Sequence, residues 1–187
     1  MIPTIDNEFD QALLRQAFGL FPSGVTAFCA MRDGAPEGMA ASSFTSVSLE
    51  PALVSVCVAN TSTTWPKLAR LDRLGLSLLA SEHGAVARAL AAKGVDRFAG
   101  VEWYAHESGA VFVHGATLWL DCVPFKQVSA GDHEIVVLEV VGLAMNPDAT
   151  PMVFHRSVFH DLTPTVASRA ASDRQYERGS SRTRSAM

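Results

Sequence analysis

Strand-like runs in this chain follow one another across tight turns, with no regular alternation between strand and helix. Val25 to Met31 reads as a strand, and Asp33-Gly34 is a strong two-residue hairpin signal. Ala40 to Leu49 reads as the return strand, which Glu50-Pro51 breaks. Leu53 to Ala59 is a third, nearly all-apolar strand of the kind expected where both faces are buried. Leu74–Leu79, Phe112–Val128, His133–Leu143 and Met152–Phe159 complete about seven strands, the two long ones joined across Ser129-Ala130-Gly131-Asp132. A doubly wound parallel sheet needs a helix between successive strands, and this chain lacks that rhythm. The fold expected is mostly β: a closed or partly open antiparallel barrel with peripheral helices.

Three helices are expected around it. Residues 6–18 carry Phe9, Ala12, Leu13, Ala17 and Phe18 at helical spacing, with Asp6 as cap. Thr63 or Thr64 opens a short helix with Pro66 in its first turn, where a missing N–H costs nothing. Ser81 caps a helix through Ala92, with Glu82 near its positive end. Apolar positions on both strand faces point to a second buried surface, most simply a homodimer contact.

Composition removes several function classes. At 187 residues one domain can bury a full core. Net charge of −4 and pI near 5.8 argue against nucleic acid as partner. No apolar run reaches the ~18–20 residues of a membrane span, and Met1–Asp10 is too polar for a signal peptide, so a cytoplasmic protein is expected. Cys29, Cys57 and Cys122 stand alone in apolar runs and read as buried reduced thiols. The six histidines include no HExxH and no zinc spacing, so no metal is expected. GxSxG, GxGxxG and the P-loop are missing as well. Residues 1–162 read as the domain and 163–187 as a flexible tail with five Arg against one Asp and one Glu.

What remains is a set of segments built to hold a nucleotide by another route. Ser42 to Ser48 places five hydroxyl side chains in seven positions, in an apolar neighbourhood. Small hydroxyl residues bring backbone N–H and O–H donors near a ligand without filling its space. Such a run suits a flat, polar-edged ring with one phosphate, the description of a flavin mononucleotide. Asn60-Thr61-Ser62-Thr63-Thr64-Trp65-Pro66 is a second donor cluster, opening a helix whose start can attract an anion. Lys93 to Gly100 sets two cations beside a turn, with Phe98 able to cover a ring. Gly131-Asp132-His133 lies at a hairpin, and Phe154-His155-Arg156-Ser157 on the last strand.

In this order the segments resemble the short-chain flavin reductases that serve two-component flavin-dependent monooxygenases. The matching pieces are Phe21–Thr26, Gly38–Pro51, Lys93–Gly100, Gly131–His133 and Phe154–Arg156, from about Phe18 to Leu162. The resemblance implies an FMN-binding split barrel, antiparallel and Greek-key-like, usually a homodimer with flavin near the subunit interface. It implies that Met39, Ala40, Ser42, Ser43 and Phe44, with Val58, Ala59 and Asn60, line the isoalloxazine and ribityl chain. Thr63 and Thr64 would hold the phosphate with a cation, and Phe98 would cover the ring. The family's Arg-Phe near the end of the second long helix is Arg88-Ala89-Leu90 here, leaving Arg88, Lys93 and Arg97 open as that cation. His133 and Phe154, His155, Arg156 and Ser157 correspond to the nicotinamide nucleotide side.

The activity implied is NAD(P)H:flavin oxidoreduction, with FMN or FAD reduced by NADH or NADPH and passed to a partner monooxygenase. Hydride would move from nicotinamide C4 to flavin N5 across roughly 3–3.5 Å. Backbone N–H groups of Ser42–Phe44 would stabilise charge at the flavin edge, and His133 would orient. A pyridoxine-phosphate-oxidase-like enzyme and a non-catalytic flavin-binding protein are the competing readings. The first needs a basic pocket for a second phosphate, and the second has no use for a nicotinamide side.

Overall fold

The computed structural model describes residues 8–163. Helix α1 (Gln11–Phe18) leads into β1 (Ser23–Gly24), β2 (Thr26–Arg32), β3 (Ala35–Ala41), β4 (Thr45–Leu49) and β5 (Ala52–Ala59). Then come α2 (Trp65–Leu68), β6 (Leu74–Leu78), a 3-10 turn (Ser81–His83) and α3 (Gly84–Ala91). β7 (Trp103–Ala105), β8 (Val111–Val113), β9 (Leu118–Ala130), β10 (His133–Met145), β11 (Met152–His155) and β12 (Val158–Asp161) follow. The main sheet runs β3-β2-β6-β9-β10-β5-β4 and is antiparallel throughout. β1-β11-β12 and β7-β8 form two smaller sheets.

The main sheet is rolled. In a flat sheet β3 and β5 would lie about 24 Å apart, five spacings of ~4.8 Å, yet their Cα atoms come within 8 Å. Phe28, Val56, Leu76, Leu120 and Leu138, each from a different strand, accordingly share one core. Among the described residues no ladder joins the edges β3 and β4, so the roll is open along a seam. A closed barrel, one of the two forms expected, is therefore excluded.

The serine-rich run crosses that seam. Ala40–Leu49 is not one strand: β3 ends at Ala41 on the β2 side, and β4 starts at Thr45 on the β5 side. Between them the Ser43 hydroxyl accepts from the Cys57 N–H at 2.8 Å and donates to the Cys57 carbonyl at 3.0 Å. Phe44 then packs onto the core. The alternation that resembled one long strand is two strand ends stitched across a gap.

A second core lies outside the roll, where Ala27 and Cys29 of β2 meet Ala87, Leu90, Val111, Val113 and Met152. Strand β2 is consequently buried on both faces, whereas β5 alternates and leaves Cys57 exposed. Both-face burial had been expected of β5, and burial of all three cysteines; both expectations fail at the same outward-facing position. Cys29 and Cys122 are buried, and desolvation pushes each thiol up to about 12. One ion pair at the sheet is Arg73 to Asp121, bidentate at 3.1 and 2.6 Å, with Ser108 adding a third bond to the same carboxylate.

Other boundaries move for local reasons. The N-terminal helix starts at Gln11, where the Asp10 carboxylate accepts from Leu13 N–H at 2.8 Å, and Asp6 lies outside the described residues. Thr64 is the N-cap residue of α2, but its side chain makes no capping bond; the Ser62 hydroxyl accepts from Trp65 N–H at 3.0 Å instead. Ser81 opens a 3-10 turn in which His83 Nδ1 accepts from Ala80 N–H, and α3 begins after it. Gly115, at φ 74°, splits the expected Phe112–Val128 strand. Arg156 and Ser157, at φ 50° and 64°, fold Met152–Phe159 into a hairpin. The expected tail at 163–187 lies almost wholly outside the described residues.

Candidate functional site

Three pockets lie in sequence along β3 and β11. The first, about 520 Å³, is lined by Pro36, Glu37, Gly38, Thr63, Thr64, Lys67 and Gly94–Phe98. Arg97 organises it. Its Nε donates to the Ala92 carbonyl at 2.6 Å, and its Nη1 to the Gly38 carbonyl at 2.9 Å and the Thr64 hydroxyl at 2.6 Å. One guanidinium thereby ties the end of α3, the middle of β3 and the start of α2. Its Nη2 has no partner among the described residues. Because Ser62 makes that bond at the start of α2, the Thr64 hydroxyl is left to meet Arg97 and the pocket.

Arg97 is the one of the three expected cations that lines this pocket. Arg88 instead lies over the Phe159 ring, 5.6 Å from its centroid, and Lys93 is not among the lining residues. Lys67 is a second cation, missed in the sequence although it stands one turn after Thr64. It pairs with Glu37 at 3.0 Å, so an incoming anion would share Lys67 with that carboxylate. The helix contributes little, since α2 is four residues long.

The second pocket, about 160 Å³, is lined by Val25, Ala40, Ala41, Ser42, Ala87, Ala91, Phe154 and Phe159. Small side chains on β3 and α3 face an aromatic pair whose centroids are 5.5 Å apart. This is a wall that admits a flat ring. Ser42 is part of it, whereas Ser43, Phe44 and Met39 are committed to the fold: Ser43 to Cys57, the other two to the core. Val58 is buried in the same core. Phe98 packs edge-on against Trp103, its Cζ only 3.0 Å from where a Cβ on Gly38 would stand.

His133 sits at the mouth of the β9–β10 hairpin, paired in register with Ala59. Asn60 is fastened to the same turn, its N–H donating to the Asp132 carbonyl at 2.9 Å and its Nδ2 to that of Gly131 at 3.3 Å. Ala59, Asn60 and His133 thus form one corner. The Asp132 carboxylate lies 2.7 Å from His133 Nδ1. That hydrogen bond, then the histidine's charge, holds the Asp132 carboxyl below the usual carboxylate range. The third pocket, about 350 Å³, is lined by Arg15, Gln16, Gly19, Leu20, Arg156 and Ser157. His155 stands beside the hairpin turn with its ring 5.9 Å from that of His160.

A roomy polar pocket organised by Arg97, a small-residue wall beside two aromatic rings and a histidine corner thus lie on one open antiparallel roll. Comparison with known proteins supplies the class. The model of the flavin reductase like domain matches residues 18–163, and the chain belongs to that family. It is 34% identical over 153 residues to a flavin reductase of Pseudomonas putida, covering 81% of this chain and 90% of that protein. The NADH:FAD oxidoreductase of Streptomyces globisporus C-1027, solved with NAD and FAD fragments, is 35% identical with a TM-score of 0.81. That match covers 88% of this chain and 99% of the other. The flavin reductase component of a bacterial two-component tryptophan halogenase is 30% identical, with a TM-score of 0.77, over 83% of this chain and 100% of its own.

Proposed function

We propose that this flavin reductase oxidises NADH or NADPH and reduces FMN or FAD, releasing reduced flavin to a separate oxygenase component. The observation that carries the reading is the pocket organised by the Arg97 guanidinium, set next to the small-residue wall of Ala40–Ser42. When bound, the flavin supplies a hydride acceptor at N5 for nicotinamide C4. Arg97, Thr63, Thr64 and Lys67 hold the phosphate. Ala40, Ala41 and Ser42 would admit the ring, and the backbone N–H groups of the seam crossing would offer donors to its polar edge. His133, braced by Asp132, orients the nicotinamide and transfers no proton.

The test is loss of NADH or NADPH absorbance with FMN, FAD or riboflavin added in turn. Turnover dependent on added flavin is expected. His133→Ala should raise KM for the nucleotide more than it lowers kcat. Flavin binding without nucleotide oxidation would leave a non-catalytic flavin-binding protein in its place.

A homodimer is part of this reading. Val141, Leu143 and Met145 expose alternate residues of β10, and Leu49 on the neighbouring edge is 97% exposed. Patches of this kind mark contacts between subunits. Sedimentation should give twice the 20.0 kDa of the chain, and Leu143→Glu should shift it toward monomer. A wild-type monomer would overturn the assignment. Free thiols at Cys29, Cys57 and Cys122 fit a reducing, cytoplasmic setting.

A further inference from the structure

We propose that Arg15 of α1 and Arg156 of the β11–β12 turn seat a phosphate group of the nicotinamide dinucleotide, which makes the first helix a determinant of nucleotide binding. The proposal rests on the flavin reductase reading above. Both guanidinium-bearing residues line the third pocket, and no carboxylate-bearing residue lines it with them. Among the described residues neither arginine forms an ion pair. Among the described residues the Arg15 guanidinium makes one hydrogen bond, a long 3.5 Å contact to Gln11 on its own helix. Two cations left unpaired in one cleft of a chain whose net charge is −4 repel each other. A doubly charged phosphate group bridging them turns that repulsion into attraction, and the planar arginine fork suits its oxygens.

The cleft is built rather than incidental. The Arg156 N–H donates to the Gly19 carbonyl at 3.0 Å, fastening the hairpin turn to the end of α1. Arg156 and Ser157 hold φ of 50° and 64°, a region that glycine or asparagine occupies with less strain. A side chain kept at such a position is placed by the turn. The cleft also adjoins the ring wall. Arg156 follows Phe154 of the ring wall by two residues.

Two phosphate sources share that chemistry: the pyrophosphate common to both nucleotides, and the 2′-phosphate of NADPH alone. Arg15→Gln and Arg156→Gln should each raise the nucleotide KM about tenfold, with kcat within about twofold and flavin KM unmoved. An equal rise for NADH and NADPH assigns the pyrophosphate, and a rise for NADPH alone assigns the 2′-phosphate. Arg15→Lys, which keeps the charge, should recover part of the loss. Calorimetric titration of the wild type and both variants with ADP and 2′,5′-ADP reads the same seat without turnover. Unchanged nucleotide KM in both variants, a rise confined to FAD, or no loss of ADP and 2′,5′-ADP binding would overturn the proposal. A wild type that binds these compounds yet reduces no flavin would instead sink the flavin reductase reading and leave the seat standing.

Discussion

Arg97→Ala is expected to raise KM for FMN roughly ten- to hundredfold, the cost of losing a charge-assisted contact worth about 1.5–3 kcal/mol. The same change removes three protein hydrogen bonds, to Ala92, Gly38 and Thr64, and so should also lower stability, by about 2–3 kcal/mol. Riboflavin separates the two effects because it has no phosphate. If Arg97 acts on the phosphate, KM for riboflavin stays near its wild-type value while that for FMN climbs. An equal rise for both would mean that Arg97 shapes the pocket only through the fold. Arg97→Lys refines the test: it keeps the charge but cannot reach three acceptors at once. It should recover more FMN affinity than stability.

The prominence of Arg97 over Arg88 and Lys93 bears on what the sequence could reveal. All three are cations within ten residues, and nothing in their spacing ranks them. What ranks them is where α3 ends: Arg88 still lies on the helix, turned to Phe159, while Arg97 follows the turn back toward β3. Long-range closure of that kind is set by packing. Hairpin chemistry was legible because it is local. Asp33-Gly34, at φ 52° and 82°, and Gly131, at φ 66°, stand at turns joining paired strands. Arg156-Ser157 resembled strand because neither residue is a usual choice for left-handed backbone. The hydroxyl run reads as one strand in the sequence and is two strand ends in the structure. Its alternation is that of a strand, but its partners change at Ser43 from β2 to β5. The homologous segments carried the family, and the residues that only geometry selects, Lys67 and Arg15, were passed over.

Gly75→Ala is expected to destabilise the protein about as much as Arg97→Ala does, although it touches no ligand-facing residue. Gly75 lies in the middle of β6, paired with Cys29 on one side and Asp121 on the other, at the heart of the rolled sheet. Strand β8 crosses directly over it. A Cβ there would collide with the Val111 carbonyl oxygen and stand 2.9 Å from both the Val111 carbonyl carbon and its nitrogen. These are backbone atoms, so no rotamer change relieves the clash; β8 must move. Val111 and Val113 are buried in the outer core with Ala87 and Leu90 of α3, so that movement loosens the layer in which α3 supports the ring wall. Overpacking of this kind costs about 1–3 kcal/mol, with the upper end expected where backbone must shift. For a domain of this size that is a fall in Tm of roughly 5–10 °C, measurable by calorimetry. Gly38→Ala provides the contrast, since its Cβ meets the side chains of Cys29 and Phe98, which can shift. It should cost less stability but narrow the Arg97 pocket. A Gly75→Ala protein that melts with the wild type would mean that β8 does not rest on β6 as described.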